Sequence, residues 1–357
     1  MKKLFKVLAI ILAAVIVVVG SYAAYVLLSY DRLEDNITLG IEKGENLSLN
    51  SGDSFRIVTY NIGFGAYSQD FSFFMDGGKE SRARSKESCK ENVQGAADLV
   101  AALNPDFVLF QEVDLNSTRS YHIDQYELLR EAFPKFSSVK AINYDSAYLY
   151  YPLIKPHGKS LSGLAVFSKY NILDSVRRSL PIATDLSKLV DLDRCYSVSR
   201  IETDSGKSLY LYNVHLSAYG GDASIRTAQI KMLFEDIKEK IEQGNYVICG
   251  GDFNHDLPGN SAELLNGADK AGEFSWAKPF PKELIPKGIT MINNVSKDGI
   301  VPTARNCDIP YMQGETFVIV IDGFFVSSNI YVLRSENLQT EFFYSDHNPV
   351  VLDFKLI

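Results

Sequence analysis

The sequence is poor in the residues that build small metal-stapled or redox folds. Only four cysteines occur in 357 residues, Cys89, Cys195, Cys249 and Cys307, and no two stand in a CxxC pair. That spacing excludes a zinc knuckle and a thioredoxin-type motif. Cys249 lies inside an apolar run and reads as a small buried residue, and no disulfide is predicted. Glycine and proline are not in excess and no fixed-period repeat is visible, which sets aside low-complexity and repeat architectures. Acid is missing from the first 30 residues, and between Val7 and Tyr30 there is no charge of either sign.

That uncharged stretch is long enough to span a bilayer, which needs roughly 20 apolar residues. Lys2, Lys3 and Lys6 precede it and "DRLED" follows it. The positive-inside rule then places the amino terminus in the cytoplasm and everything after Tyr30 outside the cell membrane. A cleaved signal peptide is the competing reading, because Ser21 and Ala23 fit an A-x-A-like cleavage site. The apolar run continues through "AYVLLSY", which favours an uncleaved, single-pass anchor. Either reading exports the rest of the chain. The net charge of −8 becomes −11 once the three lysines of this segment are set aside. So acidic a body argues against tight non-specific nucleic-acid binding, though a local basic patch remains compatible with a nuclease.

Residues 31–53 are polar and without period, and read as a linker. Residues 54–357 show no break in composition and read as one domain. Strand-like runs rich in Val, Ile, Tyr and Phe recur there: "FRIVTYNIG", "DFVLFQEV", "GLAVFSK", "SLYLYNVHL", "YVICGGDFN", "FVIVIDGFFVS" and "PVVLDFKL". Between them, Ile230, Leu233, Phe234, Ile237 and Ile241 share one helical face, which predicts a helix over 224–243 that Gly244 stops. A second helix is predicted over 90–103.

The polar residues gather at strand ends: Asn61, Glu112, His215, Asp252, Asn254 and Asp322. In "YVICGGDFNHD" an apolar strand runs into two glycines and then into Asp252 and Asn254. A surface turn explains such residues by backbone preference alone. A phosphate-ester site at a strand end explains them by chemistry.

"TYNIG", "LFQEV", "NVHL", "GGDFN", "IDGFF" and "YSDHNPV" occur in this order. Together they resemble the endonuclease/exonuclease/phosphatase (DNase I-like) superfamily over essentially the whole exported part. The resemblance implies a four-layer α/β/β/α sandwich of two mixed sheets, here preceded by one transmembrane helix. It implies a metal-dependent phosphoric ester hydrolase using Mg²⁺, or Mn²⁺ in its place. Hard cations of this kind prefer carboxylate, amide oxygen and water. Glu112, with Asn61 beside it and Asp346 close by, is the expected metal site. His215 and Asn254 are expected on phosphate oxygens, Asp252 on the attacking water, and His347 on the scissile phosphate or the water. Asp322 is expected to orient His347. Asp252 and Asn254, two apart on an extended segment, are expected to point the same way, with the glycines letting the backbone approach the site. Arg200 and Tyr144 are candidate substrate contacts. His122 and His157 fit no motif and read as surface residues, and His255 adjoins the site.

Substrate choice falls to the loops. The loop after Asn61 carries Lys79, Arg82, Arg84, Lys86 and Lys90, and "AINYDSAYLYYPLIKPHGK" is dense in tyrosine, a residue that favours headgroup layers and stacking. Two enzymatic readings follow: a membrane-tethered hydrolase of phospholipid headgroups or inositol phosphates, and an extracellular DNase-like endonuclease. A third, a silent phosphate-binding module, conflicts with a complete set of site residues. No protein partner is predicted.

Overall fold

The computed structural model describes the chain apart from residues 31, 190–191, 219–222, 275, 277, 293 and 295–298. Among the described residues, two seven-stranded mixed sheets face each other. One runs Ile37–Thr38, Ile172–Ser179, Cys195–Glu202, Ser208–His215, Tyr246–Asp252, Asp322–Ser327, Ile289–Ile292. The other runs Ile330–Asn337, Val350–Leu356, Ser54–Asn61, Phe107–Asp114, Leu161–Ser168, Ser137–Asp145, Ile41–Glu42.

A parallel pair lies near the centre of each sheet: Ser54–Asn61 with Phe107–Asp114, and Ser208–His215 with Tyr246–Asp252. Period-2 alternation turns Ile57, Leu109, Leu211, Ile248, Phe324 and Leu352 into the space between the sheets, where all are fully buried. Each such side chain contributes about 1.5–3 kcal/mol on burial. Helices α2 (Lys86–Ala102) and α3 (Gln125–Ala132) cover one outer face, and α4 (Ala223–Glu242) covers the other. This is the expected α/β/β/α sandwich.

Above that apolar layer lies a band of buried amides. Gln111 Nε2 donates to Thr59 Oγ1 (3.1 Å) on its own sheet and to Asn213 Oδ1 (2.7 Å) on the other. Asn213 Nδ2 donates back to the carbonyls of Phe110 and Ala165, both at 3.0 Å. Amides so paired zip the two sheets in one register, and the next polar layer outward holds the candidate site.

Several sequence expectations shift. α4 matches its prediction within one residue, with Gly244 at φ +81 just beyond it. α2 starts four residues earlier than predicted, because Ser85 caps it: Ser85 Oγ accepts from Ser88 N at 3.0 Å and Ser88 Oγ from Ser85 N at 3.1 Å. The linker expected over residues 31–53 carries structure from Glu34 to Glu42. Ile37–Thr38 adds an edge strand to one sheet and Ile41–Glu42 to the other, and the buried Arg177 fastens this strap by donating to Glu34 O (3.0 Å) and Ile142 O (2.6 Å). "FVIVIDGFFVS" splits into Val318–Ile319 and Asp322–Ser327, because Thr303 Oγ1 takes the backbone N–H groups of Ile321 (2.9 Å) and Asp322 (3.0 Å). All four cysteines are free and buried. His157 is 3% exposed, against the surface placement expected for it. His122 is exposed.

The helix α1 (Lys2–Ser29) buries none of its residues and is long and apolar enough to cross a membrane, a test that a signal sequence also passes.

Candidate active site

The parallel pairs explain why the site forms where it does. Parallel neighbours finish at the same rim, so Asn61 lies opposite Gln111, and Asp252 opposite His215. Asp322 was expected at a strand end. It instead begins its strand, which runs antiparallel to Tyr246–Asp252 and so sets Asp322 directly opposite Asp252.

Glu112 reaches the site through a bulge. The pairing of Phe107–Asp114 with Leu161–Ser168 slips between Phe110 and Val113, and Glu112 takes φ +54. One extra residue in the strand re-aims the side chain towards the rim. Asn61 Nδ2 then bridges two carboxylates, Glu112 Oε1 at 3.2 Å and Asp252 Oδ2 at 3.1 Å. Its own oxygen accepts from Gly63 N at 3.0 Å. Asn61 thus serves in this structure as a donor rather than as the oxygen ligand of a metal.

Asp252 is the hub. Its Oδ2 lies 3.5 Å from His215 Nε2 and 3.8 Å from His347 Nε2. Its Oδ1 accepts from Asn254 N at 2.9 Å, with Asn254 at φ +49. The segment is therefore an Asx turn, not extended chain as expected, and turn chemistry and site chemistry are carried by the same residues. Asn254 Nδ2 is turned to Leu216 O at 2.8 Å. The two glycines serve the sheet rather than the substrate. A Cβ on Gly250 would meet Phe324 at 2.5 Å, and one on Gly251 would sit 2.0 Å from Val214 O.

His347 Nδ1 bonds Asp322 Oδ2 at 2.8 Å, as expected of an orienting carboxylate. "SDHNP" is tied to the Ser54–Asn61 strand by Ser345 Oγ, which donates to Asn61 O at 2.8 Å. Asp346 lies at the edge of the group: its Oδ1 accepts from Ser345 Oγ at 3.2 Å.

The electrostatics separate the two histidines. Burial pushes His215 well below its ordinary pKa, and the positive charges of Arg194, His347 and Arg119 push the same way, so it is neutral. Burial also opposes charge on His347, but Asp322, Asp346 and Asp252 outweigh it and hold His347 protonated. Burial, then Asp322, raises Asp252 to about 7 against the opposing pull of His347. Burial, then Asp346, raises Glu112. Shifts this concentrated in one cleft mark functional sites.

Two cations at the site went unnoticed in the sequence. Arg119 pairs with Asp114 through two bonds (2.8 and 3.1 Å), and its guanidinium lies 3.8 Å over the Phe64 ring. Arg194 Nη1 donates to Leu216 O at 3.0 Å beside His215. Arg200, the arginine predicted to touch substrate, is not there. It pairs with Asp174 at 2.6 Å and stands opposite Tyr210, five residues back from His215. The Cys195–Glu202 strand is antiparallel to Ser208–His215, so its start reaches the rim and its end does not. Recognising "DRCYSVSR" and "LYLYNVH" as a hairpin would have pointed to Arg194. Tyr144 does lie near the site, its ring 5.7 Å from the Arg119 guanidinium. His255 packs beside Phe280 with Nδ1 bonded to Phe253 O at 2.7 Å, away from the carboxylates.

Residues 58–347 match the Endonuclease/Exonuclease/phosphatase family. The chain belongs to that family, and is a divalent-metal-dependent phosphoester hydrolase. Similar solved structures include an endonuclease/exonuclease/phosphatase from Beutenbergia cavernae (TM-score 0.57, 16% identity, covering 85% of this chain and 72% of that one). ANGEL2, a 2′,3′-cyclic phosphatase solved with adenosine-2′,3′-vanadate, has a TM-score of 0.57 at 16% identity, with 90% and 99% covered. The catalytic domain of human Nocturnin, with a bound sulfate anion, has a TM-score of 0.52 at 19% identity, with 89% and 97% covered. At these identities the likeness is one of fold. No curated protein matches in sequence.

The donor set suits a hard divalent cation. Asp252, Asp322 and His347 offer ligand atoms within 4.8 Å of one another, and Asp322 Oδ1 is buried with no hydrogen-bond partner among the described residues. His347 is, however, already protonated between carboxylates, and a cation beside it would be repelled. Glu112, raised by burial and by the negative charge of Asp346, gains more from one.

Proposed function

We propose that this protein is a Mg²⁺-dependent phosphoesterase, exported and tethered to the membrane by α1, that hydrolyses phosphate esters of lipid headgroups or inositol phosphates. One observation carries the reading: a neutral histidine, a protonated histidine and a carboxylate raised to about 7 meet within 3.8 Å at Asp252. Those are a donor, a cationic phosphate ligand and a base matched to neutral pH.

Glu112, with Asp346 and Asn61 beside it, would hold Mg²⁺, or Mn²⁺ in its place, and the cation would supply positive charge to offset that on the phosphoryl oxygens. Asp252 Oδ2 orients the attacking water and accepts its proton, while Asn61 Nδ2 holds that carboxylate in place. His347, kept cationic by Asp322, binds a phosphoryl oxygen. His215 donates from Nε2 to another, and Arg194 adds positive charge next to it. The Asn254 turn fixes the Asp252 rotamer.

Nucleic acid is the second reading, favoured by the similar zebrafish TDP2 structure, which is complexed with a single-stranded DNA product (TM-score 0.51, 16% identity). The basic run expected to grip such a substrate is partly consumed within this chain. Arg84 pairs with Asp70 and Glu80, and Arg82 Nε donates to Pro156 O. The deciding experiment compares Mg²⁺-dependent headgroup release from phospholipid vesicles with nicking of supercoiled plasmid, for the full chain and for His215→Ala. Headgroup release that the variant loses supports the reading. Nicking without headgroup release makes the protein a nuclease, and metal-independent hydrolysis refutes the mechanism. Protease added to intact cells tests the tether, and a protected catalytic domain would reverse the topology.

A further inference from the structure

Two loops leave the rim of the site and expose apolar side chains that the sandwich does not use. Met75 is 65% exposed on the first, and Tyr150, Tyr151, Leu153 and Ile154 are 56–87% exposed on the second. The loops are fastened into one ridge. Phe74 packs against the rings of Tyr151 (5.8 Å) and His157 (5.9 Å), and His157 Nδ1 bonds Ser81 O at 2.8 Å. Leu153 and Ile154 sit on a braced loop, not a frayed one. Large apolar groups kept in water on a braced scaffold mark an interaction surface.

The carboxyl end of α1 lies against this ridge. Tyr22 Oη donates to Tyr148 O at 3.1 Å, Tyr25 Oη accepts from Tyr148 N at 3.1 Å, and the Tyr22 and Tyr150 rings meet edge-on at 5.3 Å. Lys6 and Tyr25 are about 28 Å apart along a helix rising 1.5 Å per residue, close to the roughly 30 Å of bilayer hydrocarbon. With Lys6 at one face, Tyr22 and Tyr25 lie in the opposite interfacial layer, where tyrosine is enriched. The ridge tyrosines are bonded to them and share that depth. Lys79 and Lys155, both exposed, flank the apolar residues, the arrangement that adds attraction for anionic lipid.

We infer that the 71–79 and 148–155 loops form a second membrane contact, a ridge that enters the interfacial layer of the bilayer beside α1. This rests on the tether proposed above. The ridge has a consequence for the site. Its second loop starts beside Tyr144, next to Arg119, and its first follows the Gly63–Phe64 turn. Seating the ridge in the headgroup layer therefore holds the mouth of the site at the level of the lipid phosphates.

The test uses the full chain in vesicles of phosphatidylcholine and phosphatidylglycerol. The four native cysteines are buried, so an environment-sensitive thiol dye reports Leu153→Cys selectively. Ser205→Cys, in the turn at the far rim, is the aqueous control, and Val15→Cys reports α1. The Leu153 dye is expected to be quenched by a headgroup-level nitroxide lipid and at least fivefold less than the Ser205 dye by aqueous iodide. Iodide quenching equal to that at Ser205 overturns the inference. So does a dye shielded from both quenchers, which would mean a protein partner or a second copy. An aqueous Val15 dye would defeat the tether reading by itself, while the Leu153 dye still decides the ridge.

Discussion

Asp252→Asn separates catalysis from stability. The carboxylate accepts from Asn61 Nδ2 through Oδ2 and from Asn254 N through Oδ1. An amide has a single oxygen, so in either orientation its NH₂ faces one of these donors. Losing one buried hydrogen bond costs about 1–3 kcal/mol. The opposing effect is larger. Burial and Asp322 raise the carboxyl from 3.8 to about 7, so the folded state holds its proton more tightly than the unfolded one. Between those pH values folding takes up a proton and stability falls as pH rises. At about 1.4 kcal/mol per unit, roughly 4 kcal/mol is lost by neutral pH in chelated buffer. The neutral amide escapes that loss. Thermal melts of the detergent-solubilised chain in EDTA should therefore show the variant near or below the parent at pH 4 and equal or above it at pH 8. Hydrolysis of a soluble phosphodiester at pH 7.5 should fall by about 10²–10⁴, the worth of a general base. A variant that is less stable at pH 8 than at pH 4 relative to the parent refutes the charge reading, and one that keeps its turnover refutes the role of Asp252.

Chelation should stop turnover, and Mg²⁺ or Mn²⁺ should restore it. Saturating metal at about 100 times Kd should add roughly 2.7 kcal/mol to the parent, and much of that gain should vanish in Glu112→Gln; an equal gain in both removes Glu112 as a ligand. Burial lowers His157 to about 4, so the folded state resists protonation and stability is lost as pH falls from about 6.5 to 4, by up to roughly 3 kcal/mol. His157→Gln should abolish that part of the difference between melts at pH 7 and pH 4.5, and an unchanged difference would show that His157 does not carry it. Gly251→Ala drives a Cβ to within 2.0 Å of Val214 O at a φ of +145, so its soluble yield and melting temperature should collapse, and a parent-like melt would mean that the strand yields at little cost.

The fold class, the anchor-like first helix, and most of the polar residues that meet at the rim are legible in the amino-acid sequence alone. Local chemistry explains that success. Period-2 alternation, a helical stripe ending at Gly244, and acids or amides at the ends of apolar runs are all written in neighbouring residues. Whatever depends on strand direction and register follows only from long-range packing. Arg194 reaches His215 and Arg200 does not, because a hairpin reverses one strand. Asp322 faces Asp252 across an antiparallel pair, and Glu112 turns inward only because a bulge adds one residue. The strap of residues 37–42 closes both sheets, although nothing local marks it as strand. The charge states follow the same division: His215 and His347 are one residue type beside the same carboxylate, and only the carboxylates and guanidinium groups packed around each make one neutral and the other cationic.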